Sequence, residues 1–280
     1  MLSPLRKESP LRKCGRVLWP VVMHFLIFQI AGNLILLLLM GLSGQEGVTI
    51  YNNNAIVITG VAGLCVLFPA LYLYTRDQKR RMAGGLLPGV GENHLSLWDG
   101  VLLLILGAGA AHFFNVIVNI LQIFIRSTTY QENMAQITEG KSLLMMIFWM
   151  GIIAPVSEEV VFRWLLYLRL RDYMKTGAAT VISGVIFGIY HGNITQAIYA
   201  SILGIVFAYV LEMTGNLLSS VLLHIGSNIW SLVISEAALQ LTDPQALSIL
   251  GMGILVLFIL AGIIYAYFMK RGKRRKKRCV

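Results

Sequence analysis

Apolar residues run almost from end to end of this chain, in blocks of about twenty broken by short polar stretches. The pattern predicts helices at 17–42, 54–75, 97–125, 143–168, 177–192, 196–212, 216–235 and 248–269. Each block is about long enough to cross a ~30 Å hydrocarbon core, the fifth and sixth being the shortest. The fold class is therefore all-α, a polytopic membrane bundle of about eight transmembrane helices. The longest connections, about 76–96 and 126–142, are too short to fold alone. That leaves a single membrane domain over 17–269, between a basic N-terminus (1–16) and a basic tail (270–280). Gly84, Gly85, Pro88, Gly89 and Gly91 make the first long connection a flexible linker. Spans one and two hold few ionisable groups and read as packing.

Composition strengthens this reading. Charged residues are only 13% of the chain and mean hydropathy is +0.73, whereas a soluble chain carries roughly 25% charged residues. The net charge of +10 invites a nucleic-acid reading, but the positions of the charges argue otherwise. Arg6, Lys7, Arg12, Lys13 and Arg16 precede span one. Arg76, Lys79, Arg80 and Arg81 follow span two, and Arg169, Arg171 and Lys175 follow span four. Eight more lie between Lys270 and Arg278. With eight spans, all four segments share one face, which holds twenty of the twenty-three basic residues. Arg126 and Lys141 are on the other, beside Glu46, Glu132, Glu139, Glu236 and Asp243. The positive-inside rule then puts both termini in the cytoplasm. A basic tail at that face suits anionic headgroups, and no nucleic-acid partner is expected. The first span is too long for a cleaved signal peptide and reads as a retained anchor. Cys14, Cys65 and Cys279 have neither disulfide nor metal spacing, and Cys279 is next to last rather than in a prenylation box.

Ionisable residues inside a bilayer are costly and mark functional candidates. Span four carries Glu158-Glu159-Val160-Val161-Phe162-Arg163, span five Phe187 and His191, and span seven His224 and Asn228. Residues four apart share a helix face, so Glu159 and Arg163 are placed to pair. Glu158 is turned about 100° away and lacks a local partner in this reading. A desolvated carboxylate has a raised pKa and suits a general base. Counted from the cytoplasmic ends at 1.5 Å per residue, Glu158 lies roughly 16 Å deep, His191 roughly 21 Å and His224 roughly 12 Å. These depths allow the three to converge.

The bland alternatives are concrete. The Glu-Glu-Arg set is also what a structural ion-pair network would use, although two acids against one base leave a carboxylate over. A lone intramembrane histidine is commonly an interhelical hydrogen-bond partner, but two at similar depth, with Glu and Asn, point to a site. The stripe of His112, Asn115, Asn119 and Gln122 on span three is expected to join helices rather than wall a cavity. Gly184, Gly188 and Gly192 form a small-residue ridge for close packing. Pro155 removes an amide donor and should bend span four. Ser220, Ser227, Ser231 and Ser235 accompany the span-seven motif.

The ordered trio of Glu158-Glu159-x-x-x-Arg163, Phe187-x-x-x-His191 and His224-x-x-x-Asn228, each on its own span, resembles the CAAX-protease and bacteriocin-processing (CPBP, Abi-type) family. These are intramembrane glutamic or metallo-endopeptidases related to type II CAAX prenyl endoproteases. The resemblance covers about 143–235. It implies an intramembrane active site that hydrolyses a peptide bond in a membrane-associated peptide or protein. By position, Glu158 would activate water, His191 would hold it or move its proton, and His224 and Asn228 would stabilise the oxyanion. Glu159 with Arg163 would orient the site. A metal-free mechanism is favoured, because the zinc-peptidase helix His-Glu-x-x-His is absent. Zinc or another divalent metal, if bound, would fall to Glu158, His191 and His224. Short loops and the basic tail fit a bacterial plasma membrane, and a bacteriocin or pheromone precursor is the general substrate expectation. Two other classes remain open: a non-proteolytic bacteriocin-immunity or scaffold protein, and a proton-coupled transporter. The second would favour paired broken helices, which the chain does not show.

Overall fold

A computed structural model describes residues 8–84, 93–125, 128–240 and 243–278. Among these residues the secondary structure is helical throughout, with no strand. In chain order the helices are α1 (Pro10–Ser43), α2 (Glu46–Asn53), α3 (Ala55–Ala83), α4 (Leu97–Ile125) and α5 (Thr129–Thr138). There follow α6 (Leu143–Arg171), α7 (Thr176–Tyr190), α8 (Ile194–Thr214), α9 (Leu218–Gln240) and α10 (Pro244–Arg278). Seven of them, α1, α3, α4, α6, α8, α9 and α10, are long and apolar enough to cross a membrane. The expected fifth span is α7, an apolar helix of 15 residues, or about 22 Å of rise. It ends early because Gly192 adopts φ +75°, a left-handed turn that suits glycine. Asn193 then caps α8, accepting from the Gln196 amide at 2.8 Å. Helix α10 continues through the basic segment, so Lys270–Arg278 extends a span instead of forming a separate tail.

Helix α6 departs from regular geometry. It alternates α-helical turns (Leu143–Met146, Ala154–Glu159, Leu168–Arg171) with under-wound π-helical stretches at Ile147–Ile153 and Val160–Tyr167. Ser142 caps its start, accepting from the Met145 amide at 3.3 Å. Pro155, buried just inside the central α turn, follows the first π stretch.

The described chain groups into two compact units. Unit one comprises Met1–Pro88 and Thr128–Ala179, and unit two comprises Gly89–Ser127 and Thr180–Val280.

In unit one, α1 and α3 pack on α6. His24 of α1, 2% exposed, stacks on Phe28 at 4.5 Å and meets the edge of Phe162 at 6.1 Å. At the basic ends of these helices lies a buried ion network. Asp172 pairs with Arg16 and Arg81, each at 2.9 Å, and Asp77 pairs with Arg169 at 2.5 Å. Arg16 also donates to the Tyr173 hydroxyl, which donates in turn to Glu8, both at 2.9 Å. Burial pushes the Tyr173 phenol up, against the pull of the Arg16 hydrogen bond. The basic residues at this face thus divide into two kinds. Arg76, Lys79 and Arg80 are exposed, while Arg81 and Arg169 are buried and paired.

In unit two, α4 and α9 approach closely at Gly107 and Gly226. A Cβ on either would run into the partner helix backbone, at Leu223 or Leu104. Ser227 Oγ, placed by this contact, donates to the Gly107 carbonyl at 3.0 Å. The seam continues with Trp230 Nε1 donating to His112 Nδ1 at 3.1 Å and Asn115 Nδ2 donating to Ser231 Oγ at 3.2 Å. For His112 and Asn115 the expected interhelical role is therefore observed. The side chains of Asn119 and Gln122 lie outside the described residues. Gly184 and Gly188 pack α7 on α8 against Ser201 and its neighbours. Gly192 belongs to the turn and has nothing within 4 Å of a built Cβ, which corrects its place in the ridge.

Candidate active site

Six residues were expected to carry the chemistry, and the fold presents them as two sets. Glu158, Glu159 and Arg163 belong to unit one, while His191, His224 and Asn228 belong to unit two.

Glu159 is the last residue of the central α turn of α6, and Arg163 lies in the π stretch that follows. Their side chains pair at 3.1 Å, and both are fully buried. A carboxylate and a guanidinium removed from water each lose several kcal/mol of hydration, which only a close partner offsets. This pair therefore fixes the helix and its side-chain directions. Glu158, next in line, points elsewhere and is part-exposed. It also lies within the electrostatic reach of Arg163, so it has a local cation that helical spacing alone did not predict.

In unit two, Phe187 is the centre of the arrangement. It is 2% exposed and stands edge-on to His191 at 4.8 Å and to His224 at 5.8 Å. Phe207 of α8 stacks on His224 at 4.6 Å with 29° between the rings. Two edge-on contacts thus set both imidazoles around the Phe187 ring, a geometry the ring quadrupole favours, and Phe207 covers the face of His224. His191 Nδ1 lies 2.8 Å from the Phe187 carbonyl oxygen. A carbonyl can only accept, so Nδ1 carries a proton. In the neutral ring Nε2 then bears the lone pair. This assigns the tautomer from chemistry. Asn228 is one turn beyond His224 on the same face of α9 and is part-exposed.

No group of three or more His, Cys, Asp or Glu side chains gathers in a metal-binding cluster among the described residues. A zinc site needs three or four such donors about 2 Å from the ion. Of the residues named for a metal, Glu158 belongs to unit one and His191 and His224 to unit two.

Sequence reading missed Phe207 and His24. Both are single aromatic or imidazole groups on spans with no motif, and their value lies in what they touch: His224 for the first, Phe162 between Glu159 and Arg163 for the second.

Residues 140–230 match the family described as "Type II CAAX prenyl endopeptidase Rce1-like". This central segment, about a third of the chain, is similar to the Rce1-like endopeptidases. The match takes in all six candidate residues, from the first glutamate to Asn228. Over 214 residues the chain is 22% identical to a Bacillus subtilis (strain 168) protein named "Putative membrane peptidase YdiL", covering 75% of this chain and 85% of that one. No solved structure matches the chain. The seven long apolar helices, with this similarity to membrane peptidases, make the chain an integral, multi-pass membrane protein.

Proposed function

We propose that this protein is an intramembrane endopeptidase in which Glu158 is the general base. The observation that carries this reading is the unequal treatment of two adjacent carboxylates. Glu159 is fully buried and committed to Arg163 at 3.1 Å, whereas Glu158 is part-exposed beside it. One acid is buried in its pair with Arg163, and the other keeps a part-exposed carboxylate.

Glu158 takes a proton from water, whose oxygen attacks the scissile carbonyl carbon. The tetrahedral intermediate collapses with cleavage of the C–N bond, and the proton passes to the leaving amine. His191, with Nδ1 held by the Phe187 carbonyl, presents Nε2 to accept from the water or relay its proton. His224, steadied between Phe207 and Phe187, and Asn228 donate to the oxyanion. Glu159 and Arg163 keep α6 in the orientation the reaction requires.

The substrate is a peptide or protein segment already in the bilayer, such as a leader-bearing bacteriocin or pheromone precursor. Basic ends on α1, α3, α6 and α10 support cytoplasmic termini in a bacterial plasma membrane.

The test is purification in detergent and incubation with a quenched-fluorescent peptide library, comparing wild type with Glu158→Gln and His224→Ala, with and without chelator. Cleavage by wild type that both substitutions abolish supports the reading, and its survival in chelator supports metal-free chemistry. Equal cleavage by all three proteins contradicts the site.

A further inference from the structure

Helix α3 holds no side chain used in the proposed reaction, yet its closest contacts are with the helix that carries Glu158. A Cβ built on Gly60 falls into the indole of Trp149, with Cζ3 at 2.7 Å and Cδ2 at 2.9 Å. One built on Gly63 comes within 2.9 Å of Ser157 Oγ. Both glycines are buried on one face of α3.

The two contacted residues occupy telling places in α6. Trp149 lies inside the first π stretch, Ile147–Ile153. Ser157 immediately precedes Glu158 and is 1% exposed. Its hydroxyl donates to the Ala154 carbonyl at 2.9 Å, so the group facing Gly63 is tied to its own helix. The indole is rigid and further fixed by Phe148, whose ring meets it edge-on at 4.9 Å. Neither neighbour yields easily to an added methyl.

A π turn adds a residue without breaking the helix, and one residue corresponds to about 100° of rotation. The winding upstream of Glu158 therefore decides which way its carboxylate points. We propose that Gly60 and Gly63 are positioning residues for Glu158, seating Trp149 and Ser157 so that α6 keeps the under-wound register that aims the carboxylate. The proposal rests on Glu158 being the base. It assigns to the second span a part in catalysis that its composition conceals.

The test measures kcat, KM and thermal midpoint for Gly60→Ala, Gly63→Ala, Ser157→Ala, Gly63→Ala/Ser157→Ala and Gly60→Ala/Trp149→Leu. Wild type and Glu158→Gln are the references, and the substrate is the quenched-fluorescent peptide that wild type cleaves. Each glycine substitution is expected to lower kcat by about 10²-fold, the size of effect that a ~1 Å misplacement produces, with KM little changed. The paired substitutions remove the colliding group, so Gly63→Ala/Ser157→Ala should recover kcat towards the Ser157→Ala value and Gly60→Ala/Trp149→Leu towards that of Trp149→Leu alone, measured beside it. Should Gly63→Ala not fold, the Gly63→Ala/Ser157→Ala protein carries the test, and recovery of folded, active enzyme is the expected result. Wild-type kcat in the glycine variants, or paired variants no better than the single ones, overturns the proposal. Full activity of Glu158→Gln would instead overturn the site assignment itself. An inactive Glu158→Gln beside a fully active Gly63→Ala would remove only the positioning role.

Discussion

Glu158 and Glu159 are neighbours in the chain with opposite fates, and the difference comes from what each touches. The Glu159–Arg163 pair was legible from spacing, because four residues make one helical turn and the order acid-before-base is the favoured one. The local cation near Glu158 was not, since the same Arg163 serves both acids. Phe187 shows the limit from the other side. The motif marked it, but only its ring contacts with His191 and His224 explain why an aromatic stands four residues before a histidine. Asn228 offers a prediction at this scale. If it donates to the oxyanion, Asn228→Ala should lower kcat by roughly 10²–10³-fold, about 3–4 kcal/mol of transition-state stabilisation. Steady-state kinetics on the cleaved peptide reads this, and Asn228→Asp should not restore the donor. An unchanged kcat would take Asn228 out of the oxyanion site.

At the scale of elements, the spans were legible because apolar length is a strong signal, while winding was not. Hydropathy marks 143–168 as a helix and cannot distinguish α from π turns, so the two under-wound stretches flanking Glu158 and Glu159 emerge only in three dimensions. The ion network was hidden for a related reason. Arg16, Arg81 and Arg169 read as interfacial charge, and their partners Asp77 and Asp172 sit on other helices or far along the chain. Burial converts that charge into structure. Asp172, 1% exposed and paired with two arginines, should not tolerate removal. Asp172→Ala leaves buried guanidinium charge uncompensated, and the expected loss is about 3–5 kcal/mol, read as a lowered thermal midpoint in detergent. Arg76→Ala, at an exposed position, should leave the midpoint nearly unchanged. Equal midpoints for both variants would mean that the network does not hold α1, α3 and α6 together.

For the whole molecule, the charge asymmetry makes a claim about direction. Cys14 is exposed in the basic N-terminal part of α1. In a variant where it is the sole cysteine, an impermeant maleimide should label it in inverted vesicles and leave it unlabelled in intact cells. The reverse pattern would turn the topology over. The general architecture, many apolar helices in a membrane bundle, was legible from the apolar blocks. The division into two units, one holding the carboxylates and the other the histidines, was not, because nothing in local sequence marks which helices pack together. The central claim is that Glu158 acts as the base. The most direct measurement is the kinetics of Glu158→Gln against wild type, on the same peptide in the same detergent, at matched folded concentration. The substitution keeps the shape and removes the base, so kcat should fall by about 10²–10⁴-fold while KM stays near its wild-type value. A Glu158→Gln protein that cleaves at the wild-type rate would contradict the account.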